Sequence, residues 1–156
     1  MYDTQNEKHV VVTAPAAIVD NASLTTTVID TAGYAYCVVE VQLGATDIAL
    51  TALKVQEADA TSNATTLTSG ADVSGLVFGT SSNIAGSTSA LPSATADNGC
   101  YRFEINLRGR KRYLKPIVTI GDGTAGGFAT VTAKLSGATN APRTASERGF
   151  GDILRV

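Results

Sequence analysis

Apolar and polar residues alternate along much of this chain with a period of two, the pattern of β-strands that bury one face. The clearest case is residues 100–108, where Tyr101, Phe103, Ile105 and Leu107 alternate with Arg102, Glu104, Asn106 and Arg108. Residues 34–43 (YAYCVVEVQL) place Cys37, Val39, Val41 and Leu43 on one side. Further runs rich in β-branched or aromatic residues predict strands over 9–13 (HVVVT), 24–31, 73–78, 113–120 and 128–135. Residues 47–57 (DIALTALKVQE) carry two periods: Ile48, Ala52 and Val55 suit a helical turn, LKVQ suits a strand. A short turn running into a strand is the expectation. Pro116 has no N–H to give a ladder, so it is expected at an edge or a bulge.

Between these runs lie long polar stretches. Residues 58–72 and 79–99 are mostly Ser, Thr, Ala, Asn and Gly and read as loops; loops of such length in a compact domain are usually functional or disordered. Asn98-Gly99, Gly109 and the stretch 121–127 (GDGTAGG) mark turns. There is neither a convincing helix nor an internal repeat. The expected fold is therefore all-β: a single antiparallel β-sandwich or jelly roll of about eight strands, with long Ser/Thr/Gly loops and extended termini. One domain covers residues 1–156, with an N-terminal arm (1–8), the sandwich (9–135) and a C-terminal tail (136–156). Both sandwich types share this periodicity, so strand order stays open.

Composition narrows the class. The chain has 156 residues, enough for one domain with its own core. Ala, Thr, Ser and Gly make up 70 of them and only 17% are charged, which suits sheets whose surfaces are largely covered. No apolar run reaches membrane-spanning length, and the first thirty residues lack the pattern of a secretory signal. Cys37 and Cys100 fall on oppositely directed strand faces, so two free thiols and a reducing compartment are expected. Without a secretory signal, the sequons at Asn21 and Asn63 carry no weight.

No enzyme emerges from the inventory. His9 is the one histidine and reads as an ordinary strand residue. No Cys-x-x-Cys, His-Glu-x-x-His or Gly-x-Ser-x-Gly is present. Asp47, Asp59, Asp72 and Asp122 lack calcium-loop spacing, and no metal or cofactor is expected. The stretch 121–127 invites a phosphate-loop reading, but no Lys follows it and the next residues predict a strand. It reads as a tight connection.

Charge is unevenly spread. Residues 1–100 carry two Lys and ten acidic residues, whereas 101–156 carry ten Lys or Arg and four acidic residues. Arg108, Arg110, Lys111, Arg112 and Lys115 crowd into eight positions at one hairpin. Clustered guanidinium and ammonium groups favour carboxylates or phosphates. A contact surface for acidic groups on a partner or a sister subunit is the leading reading, against a solvated turn that guards an edge. Nucleic acid is not expected, because the chain as a whole is acidic.

The run CYRFEINLRGRKRYLKPIVTIGDGTAGG, with DIALTALKVQEAD before it and a short Pro-containing tail after it, resembles head proteins of tailed bacteriophages. Among these it is most similar to capsid decoration (cement) proteins of the β-sandwich or jelly-roll type. The resemblance covers roughly 34–156 and is most specific at LRGRKRYLKP; the loops 58–72 and 79–99 depart from it. It implies a virion structural protein on the capsid exterior, assembled in bacterial cytoplasm and bound to the major capsid protein as a homo-oligomer, a trimer or dimer. It brings no catalytic residue, only the basic hairpin. The alternative is a carbohydrate- or surface-binding β-sandwich displayed on a virion. That reading wants exposed aromatics, whereas Tyr34, Tyr36, Tyr101, Phe103 and Phe128 mostly sit at positions that suggest core.

Overall fold

The long alternating segments become strands in the computed structural model of the protein, which describes residues 6–13 and 17–154. Among the described residues there are ten: β1 (Lys8–Thr13), β2 (Ile29–Asp30), β3 (Tyr36–Thr46), β4 (Leu50–Ala58), β5 (Ala60–Asn63), β6 (Thr66–Thr68), β7 (Ala71–Val77), β8 (Cys100–Asn106), β9 (Tyr113–Ile120) and β10 (Gly127–Ser136). Eight of them form two four-stranded sheets, ordered β1-β10-β3-β8 and β2-β9-β4-β7, and β5 pairs with β6 alone. All pairings are antiparallel. The expected all-β sandwich is what the chain adopts, and its strand order is that of a jelly roll. Strands pair by their distance from the central hairpin: β1 with β10, β2 with β9, β3 with β8, β4 with β7 and β5 with β6. One long hairpin has been wound so that its limbs also meet as β10–β3 and β4–β9.

The alternation decides which face goes inside. Val10, Ala133, Val39 and Phe103 stand side by side across the first sheet, with Thr13, Val131, Val41 and Tyr101 in the next row. In the second sheet Leu53 lies beside Val118 and Val55 beside Pro116. Val39, Val41, Leu43, Phe103 and Ile105 are buried, while Tyr101 and Leu107 are half-buried and pack against the core. Phe78, just after β7, meets the rings of Phe103 and Tyr101 edge-on at 5.3 and 5.7 Å. That contact joins the two sheets on the β7–β8 side.

The structure departs from the sequence reading in several places. Within 24–31 only Ile29–Asp30 is strand. The reason is Pro116, which lies inside the second sheet rather than at an edge strand. The Pro116 carbonyl takes the Thr26 hydroxyl at 2.7 Å, so this residue's main-chain side faces the 24–31 segment, where no N–H is available to continue a ladder. The ladder breaks there and resumes where the Leu24 N–H meets the Val118 carbonyl at 2.9 Å. Residues 58–72 are not a loop: they hold β5, β6 and the start of β7. Small Thr and Ser side chains hid this hairpin, since they alternate nothing apolar. The stretch 79–99 is irregular, and its own bonds hold its first part: Ser82 bridges Thr88, and the Ser89 N–H donates to the Ser81 carbonyl at 2.8 Å. Tyr36 and Phe128 point outward and are exposed. Of the arm expected over 1–8, Lys8 belongs to β1 and residues 1–5 lie outside the described residues. The tail expected as an extended terminus is docked, because the Arg148 carbonyl accepts the His9 N–H at 2.8 Å. Gly149 sits there at φ +82, where a Cβ would run into the His9 carbonyl.

The two sides of the sandwich differ. On one, the Thr27 N–H donates to the Val12 carbonyl at 2.9 Å and the Thr13 hydroxyl to the Thr25 carbonyl at 2.8 Å, stitching β1 to the segment before β2. On the other, β7 and β8 are the outermost strands of their sheets.

Both cysteines are free, Cys37 buried in the core and Cys100 exposed on the outer face. Burial pushes the Cys37 thiol up to about 12. A thiol reagent at neutral pH should therefore modify Cys100 in the native protein and reach Cys37 only on unfolding; rapid native labelling of both would contradict the packing. Phe103→Ala should lower stability by about 3–5 kcal/mol in denaturant titration. Tyr36→Ala, on the outer face, should cost less than about 1 kcal/mol.

Candidate functional site

The basic turn 107–112 enters β9 in the middle of the second sheet, and that register chooses its neighbours. Tyr113 pairs with Asp30 of β2 on one side and Ala58 of β4 on the other. The residues just before Tyr113 therefore hang between the ends of β2 and β4, where acidic residues stand. Arg112 forks onto Asp30, Nε to Oδ1 at 2.8 Å and Nη2 to Oδ2 at 2.6 Å. Its guanidinium also lies 4.9 Å from the centre of the Tyr113 ring. Arg110 Nη1 lies 3.5 Å from Glu57 Oε1, and the Lys111 N–H donates to Glu57 Oε2 at 3.1 Å. Lys111 Nζ is 3.2 Å from Asp59. Lys115 turns away from the others and donates to the Thr65 carbonyl at 2.5 Å, helping to hold the β5–β6 hairpin against the sheet. The Val28 N–H does the same at the Ala64 carbonyl, 2.7 Å.

Four of the five cations are thus engaged within the chain, three of them by its own acidic residues. Much of the opposite charge that residues 1–100 and 101–156 offer each other is matched internally. Arg108 differs: it is exposed, and among the described residues its side chain meets no carboxylate. The turn is consequently a braced platform with one free guanidinium, rather than a uniform basic patch. Sequence reading found the cations but missed Asp30, Glu57 and Asp59. These lie 50 or more residues away, and only strand order brings them near.

The glycine-rich connection 121–127 joins β9 to β10, as expected of a tight turn, yet its amides do converge on an anion. Thr124 and Ala125 donate to Asp47 Oδ2 at 2.8 and 2.7 Å, and Gly126 donates to Asp47 Oδ1 at 2.9 Å. The Gly123 N–H donates to Asp20 Oδ1 at 2.9 Å. The cradle is one that backbone amides make for phosphates, here filled by the chain's own carboxylates. Gly126 is required: at φ +80 a Cβ would strike the Val19 carbonyl. These amides, Ala125 foremost, hold the Asp47 carboxyl below the ordinary 3.8.

The other acidic candidates do not gather. Asp59 faces Lys111, and Asp72 takes Lys54 at 2.7 Å and Gln56 at 2.8 Å. Among the described residues no group of three His, Cys, Asp or Glu is placed to hold a metal ion. His9 is a strand residue, stacked on Phe150 at 5.2 Å beside a cavity of about 360 Å³ lined also by Glu7, Lys134 and Asp152.

Comparison of the chain with family models, curated proteins and solved structures finds no match.

Arg112 holds Asp30 below its ordinary value, as Lys54 does Asp72. A depressed folded pKa means stability that is complete above 3.8, the ordinary value, and lost as pH falls through the lowered folded values. Thermal midpoints should therefore be flat through neutral pH and fall below about pH 4. Asp47→Asn should lower the neutral midpoint and make the acid fall shallower; an unchanged acid profile would show that the cradle does not contribute to acid stability.

Proposed function

We propose that the protein is a virion structural protein that binds the outer surface of the assembled phage capsid and stabilises it as a decoration or cement protein. The resemblance carried by LRGRKRYLKP supports this reading, and so does the architecture around that motif. The observation that carries it is the braced turn. Arg110, Lys111 and Arg112 are held by Glu57, Asp59 and Asp30, so the loop is pre-organised and loses little freedom on binding. Arg108 projects from it, ready for a carboxylate on the major capsid protein. The jelly roll behind the turn is a rigid support whose two sheets share one core.

The mode of action follows from mass action. A protein that binds the assembled shell and not its dissociated subunits stabilises the shell by RT ln(1 + [L]/Kd) per site, and many symmetric sites multiply a modest gain. Long-range attraction between a basic turn and an acidic shell would also speed encounter and make it salt-sensitive.

Purified protein added to undecorated heads should co-sediment with them and raise their resistance to heat or low ionic strength. Arg108→Ser should weaken occupancy several-fold, mostly through slower association at low salt, and leave the thermal midpoint unchanged. Arg112→Ser should lower the midpoint as well, because it frees Asp30. Heads that stay bare and equally labile would overturn the proposal, and capture by a glycan array without head binding would replace it with a carbohydrate-binding role.

A further inference from the structure

We infer that the free edge of β8 is a dimer interface, where a second copy of this chain adds its own β8 antiparallel about a two-fold axis at Phe103. The main-chain bonds of β8 alternate in direction along the strand. The Leu107 N–H donates to the Ala35 carbonyl and the Leu43 N–H to the Gly99 carbonyl. Odd-numbered residues of this strand therefore turn their N–H and C=O groups toward β3. Even-numbered residues turn theirs to the other side, where β8 is the outermost strand of its sheet. Among the described residues no main-chain or side-chain bond reaches the N–H or C=O of Arg102 or Glu104 from that side. A groove of about 590 Å³ runs along this edge, lined by Arg102, Phe103 and Glu104 and by Phe78 and Ile84 across from them. Ile84 is fully exposed, at 106%.

Charge selects both the occupant and the register. A two-fold axis must pass through a residue if the even positions of both strands are to exchange bonds. An axis at Arg102 opposes two guanidiniums, and one at Glu104 opposes two carboxylates. An axis at Phe103 sets Arg102 against Glu104 of the second copy, and the same pair recurs by symmetry. Within one chain Arg102 already holds Glu40 through Nε and Nη2, while its Nη1 lies 3.5 Å from a Glu104 carboxylate that has no closer partner among the described residues. Glu104 is thus open to a better guanidinium contact, which the symmetric copy supplies. The outcome is one eight-stranded sheet across two molecules. This inference does not depend on capsid binding, and its test uses the free protein.

The same register places Cys100 opposite Asn106 of the second copy, with Cα atoms about 5.5 Å apart. Along one strand these two positions are about 20 Å apart, so a thiol introduced at 106 cannot reach Cys100 of its own chain. Asn106→Cys, oxidised under mild conditions, should yield a covalent dimer whose peptide map joins Cys100 to the introduced thiol. Sedimentation of the wild type should show a concentration-dependent dimer. Glu104→Arg, at an exposed position, should raise the dimer dissociation constant at least tenfold without altering circular dichroism. A wild type that stays monomeric at every concentration, a dimer indifferent to Glu104→Arg, or oxidation that gives no such linkage would overturn the proposal. So would protection of the Arg102 and Glu104 amides from exchange only on adding a different protein, which would assign the edge to that partner.

Discussion

Main-chain pairing between strands equidistant from the 60–68 hairpin governs the rest of this molecule. Each polar backbone group inside the sandwich needs a partner, and the jelly roll finds most of them far along the chain. Lys8 pairs with Leu135, Ile29 with Leu114 and Cys37 with Ile105. Once these registers are set, the inner rows follow, because a one-residue slip would turn Val39 and Phe103 outward and Glu40 and Arg102 inward. Such a topology closes its loops before its contacts form, which makes slow folding the natural expectation.

Electrostatics is the dependent layer. Acidic residues near the ends of β2 and β4 meet the basic turn only because β9 lies between those strands. Asp47, just past β3, meets the amides before β10 because β3 and β10 are neighbours. In both places a charge that looked available to a partner has a local mate. These pairs are exposed and individually small in energy, and their main effect is to fix the shape of two loops. What they leave over on this surface is Arg108, which is exposed and meets no carboxylate among the described residues.

The sandwich is also lopsided. Its β1 side is closed by threonine bonds and by the docked tail, while its β8 side keeps a main-chain edge that is unpaired among the described residues, beside an apolar groove. Natural proteins usually blunt such an edge with charges. Here the charges alternate in sign on one face, so they oppose random pairing while permitting one symmetric register.

Several features were legible in the sequence: the all-β class, the strands with a strict period of two, the inward set Val39, Val41, Leu43, Phe103 and Ile105, and the opposed faces of Cys37 and Cys100. These depend on side-chain alternation, a local property that each strand carries by itself. The five cations were visible too, as was the turn at 121–127. The β5–β6 hairpin was not, because Thr, Ser and Ala alternate without an apolar face. Nor were the broken ladder at Pro116, the exposure of Tyr36 and Phe128, or the partners Asp30, Glu57, Asp59 and Asp47. These are set by which strands become neighbours across 50 to 80 residues of chain. Periodicity determines which way a side chain faces; only the tertiary winding decides whom it meets, because strand order is chosen by the packing of both sheets together.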